Sequence, residues 1–189
     1  MPIPKLVGIV GNNAPFSYNR ILLQYMSRHF HKQATLEVSE IDDIPLFNER
    51  DMKQIPVAVK SLSDKIKNAD GVIIATPEYD HAIPASLKST IEWLSVDEHA
   101  LTTKPVMVVG ASIGVQGTAR AQDNLRQILN SPGVNSFVLP GFEFLLNNAK
   151  AKFDADGQLT DDSTESFLTE CVNHFITFVG DTKRNFVSV

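Results

Sequence analysis

The chain has 189 residues, a formal net charge of −5 and a pI near 5.5. That length suits one ordinary domain, and the acidic balance argues against a sequence-independent nucleic-acid binder, which needs a basic field to release counterions. The single cysteine, Cys171, excludes an intrachain disulfide or a multi-cysteine metal site, and its neighbours Phe167, Leu168, Val172 and Phe175 predict a buried, inert thiol.

Met1-Pro2-Ile3-Pro4-Lys5 lacks the charged-then-apolar pattern of a secretory signal, and no apolar run approaches membrane-spanning length. A first strand is expected over residues 6–10, then a helix over 19–30 with Leu22, Tyr25, Met26 and Phe30 at helical spacing. A short strand over 36–41 runs into a turn at Pro45. Val59, Leu62 and Ile66 mark a helix over 55–68, and the unbroken apolar run 71–76 reads as a strand covered on both faces. Helix 86–94 and strand 105–111 follow, then helix 119–129, a last strand 136–139 and a closing helix 165–179. No linker, charge block or repeat divides the chain, so one domain over residues 1–189 is expected, in the cytoplasm.

Strands alternating with helices predict an α/β fold, a doubly wound five-stranded parallel sheet with helices on both faces. The order 2-1-3-4-5 is chosen because it gathers the ends of strands one, three and four around one crevice. Three loops reach that crevice. The first, residues 11–20, carries Asn12, Ser17, Asn19 and Arg20 before a helix, where free N–H groups and the helix dipole favour a phosphate. Ser17 is equally an ordinary N-cap. The second holds Pro77, Glu78, Tyr79, Asp80 and His81 between two prolines that restrict it, Pro77 and Pro84, so that Tyr79 either faces a flat ring system or caps the core. The third, residues 110–120, contains Ser112, Gly114 and Gly117, whose backbone can approach a ligand closely. Neither a nucleoside-triphosphate loop nor a dinucleotide fingerprint follows the first strand. Asp154-Ala155-Asp156-Gly157 lacks the rest of an EF-hand loop and reads as a solvated turn.

With these loops in this order, residues 5–180 resemble the NADPH-dependent FMN reductase family, flavodoxin-like proteins that include quinone, azo-dye and chromate reductases; the strongest part is residues 77–93. The resemblance implies FMN as cofactor and NADPH or NADH as co-substrate. It implies ping-pong hydride transfer to FMN, then electron delivery to a small-molecule acceptor: a quinone, azo compound, metal oxyanion or free flavin. It assigns Ser17, Asn19 and Arg20 to the phosphate and Pro77, Glu78 and Tyr79 to the isoalloxazine, with Ser112, Gly114 and Gly117 closing the other side. Asn12, Asp80 and His81 complete the candidate set, His81 being as suited to a surface or capping role as to chemistry. The flavin carries the chemistry, so no catalytic side chain is implied, and neither a metal nor a membrane is expected. The resemblance also implies a homodimer or homotetramer, with Trp93 at the core or the subunit boundary.

Two departures matter. Family members usually carry Gly-Ser-x-Arg at the first loop, whereas this chain has Gly11-Asn12-Asn13-Ala14. The missing guanidinium implies weaker FMN retention, less preference for NADPH over NADH, or both. Asp80 stands where Asn is common, and an anion there opposes a reduced flavin unless the side chain turns to solvent. The competing readings are a flavodoxin-like electron carrier that does not itself oxidise NAD(P)H, and a flavin-free doubly wound binding protein.

Overall fold

The computed structural model describes residues 3–186; Met1 and Pro2 of the N-terminal segment read above, and residues 187–189, lie outside the described residues. Strands β3 (Gly71–Ala75) and β4 (Pro105–Ala111) are buried at every position, and β1 (Lys5–Val10) is buried from Leu6 onward. Those are the apolar runs without alternation, and they form the centre of a sheet covered on both faces. β2 (Thr35–Ser39) is partly exposed and forms one edge. The strands pair in parallel in the order β2-β1-β3-β4-β5, with β5 at Phe137–Val138. Val10 aligns with Ala75 and Ala75 with Val109, so β1, β3 and β4 end side by side. From β1 the chain winds to β2 on one side, then returns to β3 on the other, and this reversal opens the crevice at the carboxyl edge.

Successive strand residues face opposite layers. Ile73, Ala75, Met107 and Val109 pack with α1 (Tyr18–His29) and α6 (Asp162–Phe186). Val72, Ile74, Val106 and Val108 pack with α2 (Val57–Asn68), α3 (Ala85–Val96) and α4 (Ala119–Leu129). Each fully buried Leu, Ile, Val or Phe contributes about 1.5–3 kcal/mol by leaving water, so two such layers supply the main driving force. Trp93 is buried, donating its indole N–H to the Pro45 carbonyl at 2.8 Å and meeting Phe47 edge to face. Cys171 is fully buried, and burial pushes its thiol up to about 11, leaving it protonated at neutral pH.

The far edge of the sheet departs from the five-strand expectation. β5 spans only Phe137–Val138 and pairs the start of β4, whereas β6 (Phe144–Leu146) pairs its end through Val109, Gly110 and Ala111. Pro140 has no N–H to donate and Gly141 adopts φ +74°, so the chain leaves the sheet and rejoins it. Arg126 of α4 fills the break, donating to the carbonyls of Leu139 at 3.0 Å and Phe142 at 2.9 Å. A short α5 (Ala149–Lys152) follows. α6 begins earlier and ends later than the apolar pattern implied, because Asp161 caps its start through the Thr164 N–H at 2.8 Å and its polar last turns run past the core.

Candidate active site

The three loops meet at the carboxyl edge. A crevice of about 280 Å³ there is lined by Asn12, Phe16, Ser17, Tyr18, Asn19, Pro77, Glu78, Tyr79, Ala111, Ser112 and Ile113. Gly11 makes the convergence possible: its N–H donates to the Ala75 carbonyl at 2.8 Å, and a Cβ there would stand 2.5 Å from that oxygen. Only glycine lets the first loop turn this close to β3.

In the first loop Ser17 is the N-cap of α1, accepting from the Arg20 N–H at 3.3 Å while donating to Asn12 Oδ1 at 2.8 Å. Asn12 in turn donates to the Tyr79 hydroxyl at 3.2 Å, which joins the first loop to the second. Among the described residues the N–H groups of Tyr18 and Asn19 have no protein acceptor, and they sit at the positive end of a 12-residue helix. The side chains of Asn19 and Arg20 are committed elsewhere. Asn19 is buried and bridges α1 to β4, donating to the Ala111 carbonyl at 3.0 Å and accepting from the Ala111 N–H at 2.9 Å. Arg20 makes a forked pair with Glu40 at 2.6 and 2.8 Å and donates to the carbonyls of Ala14 and Pro15, both at 3.1 Å. Hydrogen bonding to Glu40 raises its pKa against the opposing effect of burial. Since C=O and N–H of a trans peptide point opposite ways, a Pro15 carbonyl held by Arg20 turns the Phe16 N–H away from it. Arg20 therefore shapes the loop from behind, and any phosphate is left to neutral donors and the helix dipole.

In the second loop Tyr79 and Ala82 exchange both backbone hydrogen bonds at 3.0 Å, making a two-residue hairpin turn of Asp80 and His81. Both have positive φ, +49° and +65°, as a type I′ turn requires. Asp80 and His81 are exposed at its tip, so the Asp80 carboxylate points to solvent. Glu78 turns the other way. Its Oε2 accepts from the backbone N–H groups of Arg120 at 3.0 Å and Ala121 at 3.2 Å, and the Arg120 guanidinium lies 3.6 Å from Oε1. Thr118, at the N-cap position of α4, has φ +74° and makes no side-chain cap. The carboxylate of Glu78 caps the helix in its place, so its charge meets the helix N-terminus.

In the third loop Ser112 donates its N–H to Leu146 at 2.9 Å and accepts from Gly114 N–H through Oγ at 3.1 Å. Gly117 has φ +60°, and a Cβ would lie 2.8 Å from the Leu145 backbone, so the fold itself demands glycine there. At Gly114 the nearest atom to a Cβ would be Ser112 Oγ at 3.6 Å, so packing imposes no such demand.

Asn12, Ser17, Asn19, Pro77, Glu78, Tyr79 and Ser112 of the predicted set thus line the crevice, while Arg20, Asp80, His81, Gly114 and Gly117 stand behind or beside it. Phe16, Tyr18, Ala111 and Ile113 were missed. Phe16 and Ile113 are 66% and 68% exposed, and the signal for both was an apolar residue inside a Gly/Pro/Asn-rich loop. The cradle suits FMN: free N–H groups for an anion, a half-exposed Tyr79 ring for a flat system, and a lone lining carboxylate whose charge is already matched. 

A profile of the family described as NADPH-dependent FMN reductase matches residues 4–151. A Vibrio ruber protein named NADH:(hydroxy)cinnamate reductase subunit CrdA is 55% identical over 91% of this chain and 85% of its own. A Lactobacillus johnsonii protein named NADH-dependent flavin reductase subunit 2 is 45% identical over 95% of this chain and all of its own. Among solved structures, the flavoenzyme NAD(P)H:(acceptor) oxidoreductase FerB from Paracoccus denitrificans superposes with a TM-score of 0.84 at 27% identity, over 95% of this chain and 99% of that one. With its sheet order, its crevice and this match across most of its length, the chain belongs to the NADPH-dependent FMN reductase family.

Proposed function

We propose that this FMN-dependent NAD(P)H oxidoreductase, one domain over residues 1–189, draws on NADH in preference to NADPH and passes the electrons to a flat acceptor or to a partner subunit. The observation that carries the reading is the convergence of three loops on one crevice, tied together by Asn12, Asn19 and Glu78. FMN, when bound, supplies a ring that accepts hydride and returns electrons. The residues bind and orient it: the Tyr18 and Asn19 N–H groups with Ser17 at the phosphate, Pro77 and Tyr79 along the ring, Ser112 and Ile113 opposite. Glu78 holds the Tyr79 wall against α4, and Asn19 holds the phosphate loop against β4.

The NADH preference is supported by the absence of a free cation from the first loop, where Ala14 stands and Arg20 is paired. It agrees with the names of the two relatives, both NADH enzymes and both subunits. Exposed apolar side chains of Phe16, Tyr79 and Ile113 around the mouth support a flat acceptor and a second copy of the chain as its neighbours. A homodimer or homotetramer in the cytoplasm is part of the proposal; among the described residues no helix is long and apolar enough to cross a membrane. Steady-state kinetics with a quinone test it: ping-pong patterns and a higher kcat/KM for NADH than for NADPH are expected. Sequential patterns would show both substrates bound together, and a preference for NADPH would overturn the NADH assignment.

A further inference from the structure

We propose that the aromatic cleft on the far side of the phosphate loop takes the adenylate half of FAD, so that the site accepts FAD as well as FMN; the inference rests on the flavin reading above. This cleft, about 360 Å³, is roomier than the crevice of about 280 Å³ beside it. Phe16 and Tyr18 line both, so the cleft adjoins the crevice beside the α1 N-terminus. A flavin that ends at its phosphate leaves the cleft unused, and one extended by an adenylate enters it along the shared wall.

The chemistry of the cleft suits a purine nucleotide. Phe16 meets Tyr18 edge to face at 5.0 Å, and the Tyr18 ring lies within 11° of parallel to Phe153 at 6.4 Å. Such an array offers faces on which a base stacks whatever its sequence, and the 66% exposed Phe16 ring has apolar surface to cover. Arg28 and Lys150 both line the cleft and are exposed, with one Arg28 N–H on the Gly157 carbonyl at 3.2 Å. They supply two cations for the second phosphate that FAD has and FMN lacks. Across from them, Asp154 is occupied by the backbone N–H groups of Asp156 and Gln158 at 2.9 and 2.8 Å. Asp156 keeps a carboxylate for the exocyclic amine of adenine, which donates.

The test compares FMN and FAD binding, by quenching of flavin fluorescence, in the wild type, in an Arg28→Glu/Lys150→Glu variant and in Ala155→Trp, which fills the cleft from an exposed position; the KM for NADH is measured alongside. The wild type is expected to bind FAD within about tenfold of FMN, and each variant to weaken FAD by about tenfold or more, 1.4 kcal/mol, with the FMN Kd within about twofold of wild type. An unchanged FAD/FMN ratio in both variants overturns the inference. So does a rise confined to the KM for NADH, which would give the cleft to that nucleotide's adenylate. A wild type that binds FMN and excludes FAD overturns this inference alone, whereas one that binds neither overturns the flavin reading beneath it.

Discussion

Glu78 is the residue whose role changes most between sequence and structure. As a chain position it lies in the loop that the family resemblance assigns to the ring; as a side chain it accepts two N–H bonds at the start of α4. Removing it leaves two N–H groups and the positive end of α4 without their partner. Glu78→Ala is expected to cost about 1–2 kcal/mol, seen as a Tm roughly 2–8 °C lower, and to weaken FMN binding because Tyr79 loses its anchor. Glu78→Gln keeps the acceptor oxygen and should recover at least half of both losses. An unchanged Tm in Glu78→Ala would remove the capping role. At Ala14, Arg20 already brings a guanidinium to the loop, but Glu40 and two carbonyls consume its donors. Ala14→Arg should therefore tighten FMN, raise the NADPH/NADH ratio of kcat/KM, or both. If isothermal titration and steady-state assays show neither, the missing cation does not carry the proposed preference for NADH.

At the scale of elements, the interrupted sheet edge and the capped α6 carry the testable consequences. Arg126 is half-buried with its guanidinium on the Leu139 and Phe142 carbonyls, and burial lowers its pKa against the pull of Glu143 and Asp123. Arg126→Leu would leave both carbonyls unpaired, a loss on the order of 2–4 kcal/mol in urea unfolding, with faster amide exchange at β5 and β6. Uniform exchange across the sheet would contradict this. At α6, hydrogen bonds from the Thr164 and Ser163 hydroxyls and the Thr164 N–H pull the Asp161 carboxyl down to about 2. A carboxyl held below its ordinary 3.8 stabilises the fold fully above that pH, and the contribution fades as pH falls toward 2. The stability of Asp161→Ala should thus fall less steeply than wild type between pH 4 and about 2 in chemical denaturation; parallel curves would contradict the cap.

For the whole molecule, the sheet order was legible because buried parallel strands write themselves as apolar runs, as in residues 71–75 and 105–111. β6 was not, since three residues rejoining an edge after Pro140 and Gly141 leave no periodicity to read. α5, at four residues, is equally silent. The convergence of the three loops was legible from their order, and the two-residue turn at Asp80 and His81 was not, because neither residue is the glycine such a turn usually announces. Side-chain roles were the least legible: Asn19 and Arg20 look like anion ligands in a linear chain, and only packing reveals Ala111 and Glu40 as their partners. What unites these parts is the crevice at the carboxyl edge, proposed above to hold the flavin within reach of NAD(P)H. The most direct measurement is anaerobic titration of the purified, FMN-loaded protein with NADH, following flavin absorbance. Bleaching that is complete at one NADH per flavin is expected; a protein that retains no FMN, or whose bound flavin stays coloured under both NADH and NADPH, would contradict the account.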